Sequence, residues 1–164
     1  MRLKDQKGAS VVEFALILPW FLLLIFGIID FGWYFFVQQT LQFATREGTR
    51  LALVGGQLND PDNSGQLLSR EESIVNTIKE NAALAVNNPD EVQIYIFKVG
   101  SDYQDPDDYE TQPPYAGDPG DYMRVRTRYT YRFLTPLIGA FFPGGENLVQ
   151  AQATYKNEPF DTGG

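Results

Sequence analysis

An apolar segment near the N-terminus is long enough to cross a lipid bilayer. From residue 9 to residue 37 the sequence is apolar apart from a few polar residues, chiefly Glu13 and Asp30. Its uninterrupted part, residues 14–29, measures only about 24 Å as an α-helix, but the flanks extend it beyond a hydrocarbon core of about 30 Å. Residues 1–7 carry three cations against one acid, and such charge favours the cytoplasmic side. We therefore predict a single-pass cell membrane protein with a cytoplasmic N-terminus and an extracytoplasmic C-terminal domain.

The start of this segment does not look like an ordinary secretory signal. The apolar part is too long, and no small-residue cleavage site precedes Phe31. Residues 7–14 read Lys-Gly-Ala-Ser-Val-Val-Glu-Phe, with a glycine directly before the apolar segment and a carboxylate five residues after it. This sequence resembles a type IV prepilin processing site. The resemblance implies that a prepilin peptidase cuts between Gly8 and Ala9 and leaves the apolar helix on the mature protein.

Glu13 is a carboxylate inside an apolar segment, which costs on the order of 3 kcal/mol at the bilayer centre unless the charge is paired or hydrated. Hydration at the cytoplasmic interface is one explanation. The prepilin resemblance implies another, in which Glu13 pairs with the free amine of Ala9 during subunit assembly. For Asp30 we predict a place at the outer interface, beside Trp33 and Tyr34, which suit an aromatic belt.

Three motifs follow one another in the first fifty residues. They read EFALILP at 13–19, FGIIDFG at 26–32 and ATREGTR at 44–50. Together they resemble the TadE-like family of tight-adherence (Flp-type) pilus systems, although Asp30 stands where that family more often has Glu. The resemblance implies a minor pilin or pseudopilin. Its partners would be the lipid bilayer, the prepilin peptidase, other pilin or TadE-like subunits and the pilus assembly machinery.

The rest of the chain predicts a small α+β domain. Gly55 and Gly56 end the first helix, and a capping box from Ser69 to Glu72 predicts a helix over 70–86. Alternating or β-rich runs predict antiparallel strands over 92–99, 122–134 and 147–157. We expect a pilin-like fold, in which the long N-terminal helix packs on about three strands, with one further helix.

The resulting organisation has four parts along the chain. We predict a basic leader at 1–8, a transmembrane helix at 9–37, its extracytoplasmic continuation at 38–54, and the α+β domain at 55–164. In the continuation, Ala44, Gly48 and Ala52 form a face of small residues that suits another helix or the domain's own core.

Two features of the domain leave alternatives open. Arginines alternate with apolar residues along 122–134, which is typical of a solvated sheet face neutralised by the nearby acidic loop rather than of an anion site. The apolar link 134–142 suits either a loop tucked under the sheet, which we favour, or a surface that touches the membrane or a partner.

Composition excludes several functions. The net charge of −8 argues against nucleic acid as a partner. The chain has no cysteine and no histidine, which excludes disulfides, thiolate nucleophiles and Cys/His zinc sites. No spacing of acidic residues in the sequence marks a catalytic acid and base, so a hydrolase that uses a carboxylate pair is not supported. We therefore predict a non-enzymatic protein with no cofactor other than calcium.

Residues 60–71 are the candidate calcium site, because they nearly fit a twelve-residue calcium loop with glycine at the sixth position. Leu68 departs from that pattern at the ninth position, and the last acid is equally explained by its place in the first turn of a helix. An acidic run at 102–121 is a weaker candidate and reads more simply as a solvated loop. The alternative function is therefore a membrane-tethered extracytoplasmic binding module. The candidate calcium ligands are Asp60, Asp62, Ser64, Gln66 and Glu71.

Overall fold

The computed structural model describes residues 4–159, and side chains from residue 8 onward. The helices are α1 (Lys4–Leu53), α2 (Arg70–Ala82) and α3 (Pro136–Gly139), and the strands are β1 (Gln93–Lys98), β2 (Tyr122–Arg132) and β3 (Glu146–Lys156), with 3-10 turns at Pro89–Glu91 and Pro143–Gly145. The strands form one antiparallel sheet in the order β1-β2-β3. The predicted α+β class, with a long apolar helix and a three-stranded sheet, is confirmed.

α1 is a single helix that includes Pro19. Of the predicted leader, residues 1–3 lie outside the described residues. The described residues divide into two compact units, of which the first comprises residues 4–35 and 131–147 and the second comprises residues 36–130 and 148–159. We call them the anchor unit and the sheet unit.

Two predicted elements extend further along the chain than the elements in the structure. The helix predicted over 70–86 ends at Ala82. Beyond it, the N–H groups of Leu84 and Ala85 donate to carbonyls three residues back. Tighter bonds of this kind commonly close a helix. The strand predicted to reach residue 134 ends at Arg132, because the N–H of Leu134 donates to the side chain of Asp30 instead.

The core of the sheet unit explains the small residues of α1. Ala44 and Ala52 are buried, and a Cβ added to Gly48 would lie 2.4 Å from Cγ1 of Ile78 on α2. The two helices therefore touch at a glycine. On the sheet side, the hydroxyls of Thr45 and Thr127 share a hydrogen bond of 2.8 Å. The small face is used for packing inside the chain.

The other face of the sheet carries arginines that are paired within the sheet unit. Arg124 and Arg126 both bind the carboxylate of Asp105, the latter at 2.6 Å. The guanidinium of Arg126 also lies 4.8 Å from the ring centroid of Tyr109. Arg128 pairs with Glu110 at 2.6 Å. The prediction that the acidic loop neutralises the arginine row is confirmed for these three residues, whereas Arg132 of the same row pairs with Glu146 of β3 at 2.7 Å.

Candidate membrane-anchor and processing site

The residues of the predicted processing site lie on the exposed start of α1. Gly8, Ala9 and Glu13 are all exposed, and a Cβ added to Gly8 would meet no atom within 4 Å. Residues 4–7, just before them, are helical. The carboxylate of Glu13 and the backbone of Ala9 are therefore both accessible. Cleavage and charge pairing at these residues stay predictions.

The apolar part of α1 has no cover of its own in the anchor unit. Among residues 9–29, all of which the structure describes, none is buried. Large apolar side chains are exposed along this stretch, including Trp20 at 74% and Leu16 at 68%. α1 is long and apolar enough to cross a membrane. A bilayer would cover the side chains that the protein itself leaves exposed.

Counting from residue 8, where the described side chains begin, Asp30 is the first buried side chain of α1 and is fully inaccessible. Its carboxylate accepts hydrogen bonds from the backbone N–H of Leu134 at 2.5 Å and of Thr135 at 3.2 Å, and also from the Thr135 hydroxyl. The backbone carbonyl of Asp30 accepts from the hydroxyl of Tyr131 at 3.4 Å. One side chain thus anchors the first residues of the apolar link.

Sequence reasoning missed this role of Asp30, for which it expected only a place at the outer interface. A carboxylate inside an apolar helix was the one visible signal. Its partners, however, stand 104 and 105 residues further along the chain, so local pattern could not identify them.

In the anchor unit, aromatic rings of α1 pack against rings from the end of β2 and from the link. The rings of Phe133 and Phe142 stack at 4.2 Å between centroids, and Phe31 meets Phe133 edge-on at 6.0 Å. Tyr34 meets Tyr131 edge-on at 5.4 Å. Tyr34 is therefore a packed residue, and such aromatic pairs add about 0.5–1.5 kcal/mol each beyond simple burial.

The apolar link lies against α1 within the anchor unit. Ile138 of α3 is buried, and its Cδ1 is 3.8 Å from the position of a Cβ added to Gly27. Leu134, Leu137 and Phe141 remain exposed. The link thus presents one apolar side to the helix and another to its surroundings.

The candidate calcium loop is closed by its own hydrogen bonds. The carboxylate of Asp60 accepts from Nδ2 of Asn63 at 2.8 Å and from the N–H of Asp62 at 2.9 Å. These bonds, that from Asn63 first, hold the pKa of Asp60 below its usual value. The N–H of Asp60 donates to the carbonyl of Gln66 at 2.9 Å. Ser64, between them, is exposed.

Glu71, the last candidate calcium ligand, contacts a different loop. Its Oε1 accepts a hydrogen bond from the N–H of Ala116 at 2.9 Å. In the part of the chain that the structure describes, no group of three or more acidic, histidine or cysteine side chains is placed to hold a metal ion. Calcium binding by this loop stays a prediction.

The structure defines a helix-anchored α+β protein, in which one long apolar helix begins in the anchor unit and ends in a small antiparallel sheet unit. The family model described as TadE-like protein matches residues 8–50. Over this segment the chain is similar to the TadE-like family, in agreement with the resemblance of its three motifs. The comparisons with curated proteins and with solved structures give no match.

Proposed function

We propose that this protein is a minor pilin or pseudopilin of a tight-adherence pilus system. It is a non-enzymatic structural component in the assembly of a surface filament for adhesion or secretion. The observation that carries the proposal is the TadE-like match over residues 8–50, which begins at Gly8 and covers the exposed apolar helix. The family is one of structural pilus components.

Processing is the first step of the proposed function. The peptidase would cut after Gly8 on the cytoplasmic side, and α1 would then begin at Ala9. The new amine would stand four residues from Glu13, and residues four apart share one face of a helix. Both positions are exposed, which supports pairing of Glu13 with the amine of the same or a neighbouring subunit.

The role of Glu13 is tested by measuring how well a variant without its charge assembles with other pilin subunits. In cells that build the pilus, we expect Glu13→Gln to be processed normally but recovered at a strongly reduced level with other pilin subunits after cross-linking. The amide keeps the size of the side chain and removes the charge. Glu47→Gln is the matched control, because Glu47 lies on the same helix and its carboxylate pairs with Arg50 at 3.0 Å.

Two results would count against the proposal. Recovery of Glu13→Gln at the wild-type level would remove the assembly role of the charge. If the wild-type protein itself reached the membrane without ever associating with pilin subunits, a membrane-tethered binding module would be the better account.

One observation favours calcium as a ligand of such a module. Gly65 has φ +91°, the left-handed conformation that the sixth position of a calcium loop needs for its sharp turn. Calcium titration followed by thermal melting tests this: a calcium-dependent rise in Tm that Asp60→Asn abolishes would support it. An unchanged Tm would exclude the loop as a calcium site.

A further inference from the structure

An apolar groove runs along α1 in the anchor unit, where the link lies beside the helix. It has a volume of about 490 Å³ and is bounded by α1 on one side and by α3 and the residues after it on the other. The residues that line it are all apolar: Leu23, Leu24, Gly27, Ile28, Phe31, Ile138, Phe141 and Phe142.

The helix residues that line the groove indicate how deep in a bilayer the groove would lie. Gly27 belongs to the uninterrupted apolar stretch 14–29, and Ile138 lies beside it, with its Cδ1 3.8 Å from the position of an added Cβ. When α1 spans a bilayer, hydrocarbon covers that stretch. The short helix α3 then lies beside the outer end of the span, nearer to the bilayer centre than Asp30.

The backbone of the link is suited to surroundings without water. Non-helical backbone is tolerated at membrane depth only where its polar groups are satisfied within the protein. The two N–H groups at the start of the link bind the carboxylate of Asp30. Those of the four residues 139–142 donate to carbonyls three or four residues back, and that of Phe133 donates to the carbonyl of Gly145.

The side chains of the link extend the apolar surface of the helix. Phe141 is 69% exposed and Leu137 is 42% exposed, although most backbone N–H groups of their segment are bonded within the protein. In the same unit, Ile28 is 66% exposed on the helix. The outer surface of the link is therefore continuous with the part of α1 that a bilayer would cover.

We propose that the apolar link 134–142 is a membrane-embedded element and that a lipid acyl chain of the outer leaflet occupies the groove between it and α1. Phe141 and Leu137 contact the hydrocarbon, and Asp30 replaces water as the acceptor for the start of the link. This inference rests on the proposed membrane anchoring of the protein.

Site-directed spin labelling of the full chain in phosphatidylcholine vesicles tests the proposal. The chain has no cysteine, so each variant carries a single label. Phe141→Cys and Leu137→Cys report on the link, and Ile28→Cys reports on the span. Leu84→Cys is the matched control, because Leu84 is an apolar residue of the sheet unit that is 68% exposed, close to the 69% of Phe141.

We expect labels at 141 and 137 to be accessible to oxygen and to lose accessibility to a polar nickel reagent, as at 28 and unlike at 84. Nickel accessibility at 141 and 137 equal to that at 84, with 28 protected, would overturn the inference and leave the anchor intact. Shielding from both reagents would mean that a second copy or another protein fills the groove, which also overturns it. Nickel accessibility at 28 would show that α1 does not span the bilayer, and the proposed membrane anchoring would then be wrong.

Discussion

Asp30 is a residue whose role depends on contacts made far along the chain. Its buried carboxylate holds two N–H groups and one hydroxyl of the link. Burying a carboxylate is unfavourable unless it is hydrogen-bonded, and here three donors meet it. Asp30 interrupts the apolar sequence of α1, and the same residue fixes the link to that helix.

Replacing this carboxylate should loosen the link without unfolding the sheet unit. Asp30→Ala leaves the partly buried N–H groups of Leu134 and Thr135 without this acceptor, and an unsatisfied donor costs up to about 1–3 kcal/mol when water cannot reach it. We expect much faster amide hydrogen exchange across residues 133–142 in detergent micelles. Asp62→Ala, an exposed acid of the sheet unit, should change nothing in that segment. Unchanged exchange in Asp30→Ala would contradict the role of Asp30.

At the scale of elements, α1 and α2 meet at a point that admits no side chain. Gly48→Ala would bring a methyl group within 2.4 Å of Ile78 and 3.3 Å of the carbonyl oxygen of Ile74. Overpacking of this kind costs about 1–3 kcal/mol, which outweighs the gain of about 1 kcal/mol that alanine brings to a helix. We therefore expect a lower Tm for Gly48→Ala.

The same substitution elsewhere in α1 separates packing from helix propensity. A Cβ added to Gly32 would meet no atom within 4 Å, so Gly32→Ala should leave the Tm unchanged or raise it. In the double variant Gly48→Ala with Ile78→Ala, the two losses should be less than additive because the smaller side chain makes room. Equal effects of the two glycine substitutions would refute the packing explanation.

The loop that carries Asp105 should make the sheet unit sensitive to acid. Burial alone would raise the pKa of Asp105, but the hydrogen bond from Arg126 and the charges of both arginines outweigh it and hold the pKa below its ordinary value of 3.8. Because the folded pKa is the lower one, the ionised form stabilises the fold above about pH 4. That contribution is lost as the pH falls below this range.

Thermal melts between neutral pH and pH 3 measure this effect. We expect Asp105→Asn to lower the Tm at neutral pH and to reduce its decline in acid, since the titrating partner of Arg124 and Arg126 is gone. Asp107→Asn, an exposed acid of the same loop, is the control and should keep the wild-type profile. A wild-type profile in Asp105→Asn would show that these ion pairs do not contribute.

Local signals predicted the elements well because the physical cause of each was itself local. The capping box at Ser69 and Glu72 is present and begins α2. Alternation along β2 predicted a strand whose Val125 and Tyr131 are buried. The end of that strand and the place of the link were not predictable, because both depend on Asp30 in a distant helix. Long-range hydrogen bonds leave no periodic trace in a sequence.

At the scale of the whole molecule, the TadE-like segment and the helix-anchored fold give one account. Residues 8–50 match the family model, and α1 is long and apolar enough to span a membrane. Residues 36–130 and the chain from residue 148 form a small sheet unit with internally paired charges. The candidate processing residues were identified by resemblance. The structure shows them to be exposed on α1.

The most direct test of the account is the N-terminus of the mature protein. The full chain is co-expressed with a prepilin peptidase, extracted from membranes and sequenced from its N-terminus, beside a Gly8→Ala variant. The account predicts a mature terminus at Ala9 that is lost in the variant, in which no other contact is disturbed because Gly8 faces open space. An intact Met1, or a cut beyond Phe31, would contradict pilin-type processing.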